Sequence, residues 1–128
     1  VTYINDSKGT NVGATLAALQ GLGSAANKNI LLIAGGEGKG ADFRALAKPV
    51  RDFVRSVYVF GKDADRVAEV LPGAEVKRFE TLDQIVADIA QESKNGEIVL
   101  FSPACASLDM YKNYEIRGAH FAQLVAEL

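Results

Sequence analysis

The sequence predicts an α/β fold, a doubly wound and mostly parallel open sheet of five or six strands with helices on both faces. Short apolar runs of strand length alternate along the chain with segments of helical periodicity, which is the order of elements in parallel α/β proteins. The apolar runs are continuous instead of alternating with polar residues. Such runs are typical of strands that helices cover on both faces.

Five segments rich in Val, Ile, Tyr and Phe are the predicted strands. They are VTYI (1–4), NILLIAG (29–35), VYVFG (57–61), AEVKRF (74–79) and EIVLFSP (97–103). The longest apolar run, ILLIA, has strand length, whereas a membrane-spanning helix needs about 20 apolar residues. We therefore expect no membrane partner.

Helical segments separate or follow these strands, and the clearest is TLDQIVADIAQES at 81–93. Its apolar residues recur at helical spacing, and Thr81 with Gln84 forms a capping box. The last segment repeats this periodicity with Phe121, Leu124, Val125 and Leu128. Pro49 interrupts the segment at 42–54 and is expected to break or restart that helix. Together these elements predict a Rossmann-like sheet.

Composition limits the function classes. The chain has 128 residues, 48% of them hydrophobic, and a net charge of −2, so we expect one domain over 1–128. Without a basic block, the chain is not expected to bind nucleic acid. The single cysteine, Cys105, cannot form an internal disulfide, and no secretory signal opens the chain. A cytoplasmic location is therefore predicted.

Three loops that follow predicted strands carry most of the polar and glycine residues that a binding site needs. They are NDSKGTN (5–11), GGEGKGADF (35–43) and SPACASLDMYKNY (102–114). In an open parallel sheet, ligands bind beyond the carboxyl ends of the strands. The other two such loops, GKDAD (61–65) and ETLD (80–83), are predicted to be ordinary turns and helix caps.

The first loop is a candidate anion site. Thr10 or Asn11 can cap the following helix, which leaves backbone N–H groups and the positive end of the helix dipole facing the loop. The alternative is a plain helix cap beside a solvated Lys8, because caps use the same residue types.

The second loop places four glycines around Lys39, which makes Lys39 a candidate clamp for a carboxylate or phosphate. A flexible turn with an exposed lysine is the alternative. A P-loop is excluded, because Ile33 and Gly40 stand where Gly and Ser or Thr are required. A dinucleotide fingerprint is disfavoured, because the loose match at 36–41 follows the second strand and lacks the later acidic residue.

In the third loop, Pro103 ends the strand and Ser107 is placed to cap a following turn. Leu108, Tyr111 and Tyr114 are predicted to form an apolar and aromatic wall beside it.

No catalytic or metal-binding residue is predicted. Cys105 is not expected to be a nucleophile, since the only histidine, His120, lies too far along the chain to be assigned as its base. We expect Cys105 to be a small buried residue and His120 to lie on a helix surface. One His and one Cys do not make a zinc site.

Three stretches carry a family resemblance: INDSKGTNVGAT, LLIAGGEGKGADF and LFSPACASLDMYKNYEIRGAHF. In order and spacing they resemble the C-terminal domain of the Mur ligases of bacterial peptidoglycan synthesis. GG-x-GK-x-ADF and SPACASLD-x-(F/Y)-KN-(F/Y) are similar to the branch that adds D-glutamate. The resemblance implies that ATP converts the carboxylate of UDP-N-acetylmuramoyl-L-alanine to an acyl phosphate, which the amine of D-glutamate attacks.

The resemblance also implies residue roles. D-glutamate is expected to be surrounded by Thr10, Lys39, Ser107, Leu108 and Tyr114. Asp6 and Lys8 are expected on the nucleotide side of the cleft. The family more often has phenylalanine at the position of Tyr114, whose hydroxyl therefore has no implied partner.

ATP and Mg²⁺ are expected to bind mainly to a central domain, and the UDP-sugar to an N-terminal domain; this chain has no counterpart of either. The chain is therefore expected to be an excised domain that folds but does not ligate by itself. Two alternatives stay open from the sequence. One is another amide ligase with this domain, either a sister Mur ligase or a folylpolyglutamate synthetase. The other is a free-standing α/β binding or signalling module.

Overall fold

Five strands form one sheet in the computed structural model, which describes residues 1–23, 28–71 and 74–128. The strands are β1 (Thr2–Asn5), β2 (Ile30–Gly35), β3 (Val54–Phe60), β4 (Glu75–Arg78) and β5 (Ile98–Phe101). Their order across the sheet is β1-β5-β2-β3-β4, and all four pairings are parallel. The predicted fold class is confirmed. β3 begins three residues earlier than predicted, because Val54 already pairs with Ile30 of β2.

Five α-helices connect or follow the strands in the described ranges. They are α1 (Val12–Leu22), α2 (Ala47–Phe53), α3 (Ala64–Glu69), α4 (Leu82–Glu92) and α5 (Tyr114–Ala126). The predicted capping box at Thr81 and Gln84 is present at the start of α4. A 3₁₀ turn, Arg44–Leu46, precedes α2, and Pro49 lies in the first turn of α2. Pro is tolerated there because the first N–H groups of a helix have no intrahelical partner, so the helix restarts as predicted.

The two faces of the sheet bury separate apolar clusters. Ile30, Leu32 and Ala34 of β2 pack with α1, α2 and α3, whereas Leu31 and Ile33 pack with α4 and α5. Successive side chains of a strand point to opposite faces, so a strand buried on both sides must be apolar throughout. All six residues of β2 are buried, which explains its continuous apolar run.

The connections reverse direction once, and this reversal creates a crevice. From β1 to β4 the chain crosses the sheet in one direction, with α1, α2 and α3 on one face. It then returns to insert β5 between β1 and β2, with α4 and α5 on the other face. The loops after β1 and β2 therefore lead to one face and the loop after β5 to the other. Such a switch point is where open α/β sheets bind ligands.

The helices of the described ranges are all too short or too polar to span a bilayer.

Candidate functional site

The loop after β1 is held in a tight turn against β5. The backbone N–H of Asp6 donates to the Phe101 carbonyl at 2.8 Å, and Asp6 Oδ2 accepts from the Ser102 hydroxyl at 2.8 Å. The Gly9 N–H donates to the Asp6 carbonyl at 2.8 Å, which closes the turn. The Gly9 carbonyl accepts a hydrogen bond from the Ala104 N–H at 2.9 Å. A Cβ on Gly9 would lie 2.8 Å from both Asp6 Oδ2 and Ser102 Oγ. Only glycine therefore allows this close approach of the two loops.

Asn11, rather than Thr10, caps α1. The Asn11 Oδ1 accepts from the Ala14 N–H at 2.9 Å. Within the residues that the structure describes, the Thr10 hydroxyl makes no hydrogen bond with protein, and exposed Lys8 has no acidic partner within 4.0 Å. Both groups are thus available to a ligand beside the N-terminus of α1.

Backbone hydrogen bonds join the glycine-rich loop after β2 to the loop after β5. The Gly35 N–H donates to the Pro103 carbonyl, and Glu37 and Ala106 exchange both of their backbone hydrogen bonds, each at 2.9 Å. Gly36 has a φ of 126°, and a Cβ there would lie 2.4 Å from the Ala106 carbonyl oxygen. The loops after β1, β5 and β2 therefore form one continuous backbone platform.

Lys39 lies at the tip of a tight turn on this platform. The Ala41 N–H donates to the Gly38 carbonyl at 3.0 Å, and the two central residues, Lys39 and Gly40, have φ values of 52° and 78°. Two positive φ values are typical of a type I′ turn, and a side chain at such a position is strained. In the described part of the chain, the other non-glycine residue with positive φ is Ala104, in the loop after β5. Backbone strain of this kind concentrates at binding and catalytic sites.

The loop after β5 presents a buried serine beside exposed apolar groups. Ser107 is 3% exposed and starts the predicted turn. It does so with its backbone carbonyl, which accepts hydrogen bonds from the N–H groups of Met110 and Tyr111. Leu108 is 59% exposed and Tyr114, the first residue of α5, is 42% exposed. Two large apolar side chains thus face solvent beside the platform.

The structure places six of the sequence-predicted site residues on adjoining loops of one sheet edge and the seventh, Tyr114, at the start of α5: the six are Asp6, Lys8, Thr10, Lys39, Ser107 and Leu108. Thr10 directly follows Gly9, and Ser107 directly follows Ala106, so each lies next to a hydrogen bond that joins two loops. Lys39 is two residues beyond Glu37, which exchanges backbone hydrogen bonds with Ala106. Their roles in ligand binding stay predictions.

Arg117 of α5 is a buried residue of this site that the sequence reasoning missed. It is 1% exposed, and its Nε and Nη2 donate to the hydroxyl and carbonyl oxygens of Ser7 at 3.0 and 2.6 Å. Its Nη1 donates to the Cys105 carbonyl at 3.0 Å, and its guanidinium lies over the Phe101 ring. One side chain therefore ties the loop after β1 to the loop after β5.

Arg117 forms no salt bridge with another described residue. Among the described residues no carboxylate lies within 4.0 Å of it, and burial lowers the pKa of the guanidinium. A cation in a region of low dielectric raises the potential of the loops above it, which favours anionic ligands. The available sequence signal was a lone arginine between apolar and small residues of α5.

The loop after β3 is a turn that leads into α3, as predicted, and it also supports the platform, which was not predicted. Asp63 Oδ2 accepts from the Gly38 N–H at 2.6 Å, and Asp109 Oδ2 accepts from the Lys62 N–H at 2.9 Å. The first contact reaches the glycine-rich loop and the second reaches the loop after β5. The loop after β4 is a helix cap, as predicted.

Cys105 is buried and His120 lies on a helix surface, as predicted. Cys105 is fully buried, and burial raises the pKa of its thiol to about 12, which disfavours a nucleophilic thiolate. His120 lies on the surface of α5 with its side chain 29% exposed, and it also makes contacts there: its Nδ1 is 2.6 Å from the Tyr111 hydroxyl, and its Nε2 is 3.4 Å from Asp83 Oδ1. His120 thus joins α5 to α4 and to the loop after β5.

Metal ligands do not cluster in the part of the chain that the structure describes: no group of three His, Cys, Asp or Glu side chains could hold an ion there.

Comparison with known proteins agrees with these features. Residues 1–105 match the family described as Mur ligase, glutamate ligase domain. The chain is 51% identical over 129 residues to the UDP-N-acetylmuramoylalanine–D-glutamate ligase of Pseudomonas aeruginosa, and 52% identical to that of Pseudomonas putida. The corresponding ligase of Legionella pneumophila is 48% identical over 132 residues. All of this chain is aligned in each case, and it spans 29% of the length of each relative.

The family match covers all five strands and the three loops of the platform as far as Cys105. The relatives extend the similarity through α5, which carries Arg117. The chain belongs to the Mur ligase, glutamate ligase domain family.

Proposed function

We propose that this chain is the C-terminal domain of an ATP-dependent ligase that adds D-glutamate to UDP-N-acetylmuramoyl-L-alanine in the cytoplasm. Its role is to hold D-glutamate while the other domains activate the acceptor. The observation that carries this proposal is the platform itself. It brings the exposed Lys39, the Thr10 hydroxyl, which has no hydrogen-bond partner among the described residues, and exposed apolar groups to one sheet edge, in a chain about half identical to D-glutamate ligases.

The chemistry of D-glutamate fits the residues of the platform. Its two carboxylates need cations and hydrogen-bond donors, which Lys39 and the hydroxyls of Thr10 and Ser107 supply. A charge-assisted hydrogen bond contributes roughly 1.5–3 kcal/mol, so several together give useful affinity. Leu108 and Tyr114 supply apolar surface for the methylene groups. Holding both carboxylates also orients the amine for attack, which removes much of the entropic cost of a reaction between two substrates.

Asp6 and Lys8 are assigned to the nucleotide side of the same platform. Asp6 is fixed by the Ser102 hydroxyl and by the turn that Gly9 closes. Lys8 is exposed next to it, so its ammonium can reach a phosphate. ATP and Mg²⁺ are assigned mainly to another domain of the full enzyme, where they supply activation of the acceptor carboxylate. The Asp6 and Lys8 side chains would then approach the nucleotide when the domains close.

The proposal is tested in the full-length ligase by measuring phosphate release against D-glutamate concentration. Lys39→Ala is expected to raise the KM for D-glutamate by roughly tenfold or more, because it removes a charge-assisted contact. Lys48→Ala is the matched control, since Lys48 is an exposed lysine of α2 that pairs with Asp52. A wild-type KM for Lys39→Ala would contradict the assignment of Lys39.

A second assay tests the amino acid. The full-length enzyme is supplied in turn with D-glutamate, L-glutamate, L-lysine and diaminopimelate. Turnover with D-glutamate alone supports the proposal. Turnover with L-lysine or diaminopimelate instead would indicate a sister Mur ligase, and turnover with L-glutamate a folylpolyglutamate synthetase.

A further inference from the structure

Asp63 holds the glycine-rich loop at two points. Its backbone N–H donates to the Gly36 carbonyl at 2.9 Å, and its Oδ2 accepts from the Gly38 N–H at 2.6 Å. The Asp63 side chain is 16% exposed. A carboxylate that accepts a backbone N–H makes a strong hydrogen bond, more so when it is shielded from water. The backbone that leads into the Lys39 turn is therefore fixed by a residue outside the platform.

Arg66 holds the other end of the same turn. It lies on α3, and its Nη2 donates to the Ala41 carbonyl at 2.7 Å, while its Nη1 is 4.0 Å from Asp63 Oδ1. The Arg66 guanidinium also lies over the Phe43 ring, 5.4 Å from its centroid. The residues on either side of Lys39 and Gly40 are thus both tied to the segment at the start of α3.

The turn needs such support because its conformation is unfavourable for lysine. Lys39 has a φ of 52°, a left-handed value that an L side chain adopts at a cost. Glycines on both sides of Lys39 add backbone freedom, so a detached loop would populate other conformations. Strained residues persist only where surrounding contacts hold them in place.

We propose that Asp63 is a positioning residue that presents Lys39 to the substrate carboxylate, with Arg66 holding the far end of the turn. Asp63 does not touch the substrate; it acts through the Gly38 N–H and the direction of the Lys39 side chain. This inference rests on the proposed function, since it assumes that Lys39 binds the amino acid substrate. It adds a residue from the loop after β3 to the determinants of that substrate's affinity.

The test uses the full-length ligase with the variants Asp63→Ala and Asp63→Asn. Asp63→Ala removes the acceptor for Gly38 and is expected to raise the KM for D-glutamate by roughly tenfold, the equivalent of one lost hydrogen bond, while the KM for ATP changes less than twofold. Asp63→Asn keeps a side-chain oxygen and is expected to restore most of the affinity. Asp65→Ala is the matched control, because Asp65 is an exposed carboxylate of the same segment that pairs with Arg78.

A purely structural role for Asp63 predicts a different pattern. General loosening of the domain would lower kcat and change both KM values, and Asp63→Asn would bring no selective recovery of D-glutamate affinity. That pattern, or a wild-type D-glutamate KM for Asp63→Ala, would overturn the proposal.

Arg66→Met keeps the test decisive if Asp63→Ala does not fold. This variant removes the donor to Ala41 without changing Asp63, and is expected to raise the KM for D-glutamate selectively; an unchanged KM would overturn the proposal. Turnover of the wild-type enzyme with D-glutamate distinguishes a failure of this inference from a failure of the proposed function. Absence of turnover with D-glutamate refutes the proposed function, whereas turnover with unaffected variants refutes only the role of Asp63.

Discussion

Arg117 and Ser7 are 110 residues apart in the chain, yet the Arg117 guanidinium donates to both the hydroxyl and the carbonyl oxygen of Ser7. The Ser7 hydroxyl in turn donates to the Tyr114 carbonyl at 2.7 Å. This relationship fixes the first turn of α5 against the loop after β1. It also connects Tyr114, a proposed substrate contact, with the loop that carries Thr10.

Removing the Arg117 guanidinium should destabilise the domain. Arg117→Met leaves the carbonyls of Ser7 and Cys105 without donors, and the expected loss is about 1–3 kcal/mol in the free energy of unfolding. Arg117→Lys should also destabilise, because an ammonium cannot reproduce the planar fork of donors. Urea unfolding measures both, with the exposed Arg51→Met as the control. Equal stabilities of Arg117→Met and the wild type would show that these hydrogen bonds contribute nothing.

The backbone strain at Lys39 can be separated from the function of its side chain. Lys39→Gly and Lys39→Ala both remove the ammonium, but only glycine adopts the positive φ of 52° without strain. Lys39→Gly is therefore expected to be about 1 kcal/mol more stable to urea than Lys39→Ala. Both should lose D-glutamate affinity in the full-length enzyme. If Lys39→Ala were the more stable of the two, the turn conformation described here would be wrong.

Cys105 should be unreactive in the folded protein. Its thiol is fully buried and burial raises its pKa to about 12, so thiolate is scarce at pH 8. A chromogenic disulfide reagent is expected to label Cys105 only after denaturant is added. Because the folded pKa is raised, the contribution of this group to stability is present below its unfolded pKa and is lost as the pH rises through the folded value. Rapid labelling without denaturant would contradict this burial.

Glu97 should make stability depend on pH in the acid range. Burial of Glu97 raises its pKa, but hydrogen bonds from the Arg55 side chain and the Lys94 N–H outweigh burial, so the pKa falls below 4.5. The pair therefore stabilises the fold above the unfolded pKa, and this contribution is lost as the pH falls through the folded pKa.

Glu97→Gln tests this assignment. The variant should lower the free energy of unfolding at pH 7 by about 1–3 kcal/mol, because it weakens charge-assisted hydrogen bonds. Its stability should also fall less than that of the wild type between pH 5 and pH 3. Chemical unfolding at several pH values measures both. Parallel stability curves for the two proteins would exclude Glu97 as the titrating group.

The chain by itself is expected to fold without catalysing ligation. Its described residues complete a sheet with two apolar clusters, but activation of the acceptor is assigned to other domains. Thermal denaturation followed by circular dichroism should show a cooperative transition. Phosphate release from ATP with both substrates should be absent, with the full-length enzyme as positive control. ATP-dependent ligation by this chain alone would show that the assignment of acceptor activation to other domains is wrong.

The sequence by itself determined the elements and the family. Continuous apolar runs such as that of β2 identify strands buried on both faces, and the capping box at Thr81 depends on a residue three positions along the chain, whereas the choice of Asn11 over Thr10 as the cap of α1 needed the structure. These signals are local, so they can be read along the chain. The loops that carry Thr10, Lys39 and Ser107 followed from the rule that ligands bind at the carboxyl ends of parallel strands.

Only the tertiary structure decided what holds those loops together. The structure inserts β5 between β1 and β2. It also joins Arg117 to Ser7, Asp63 to Gly38 and His120 to Tyr111 by hydrogen bonds between residues that are separated in the sequence. A hydrogen bond of this kind depends on strand order and on the face to which each helix crosses. No local pattern encodes either property, because both follow from the packing of the whole sheet.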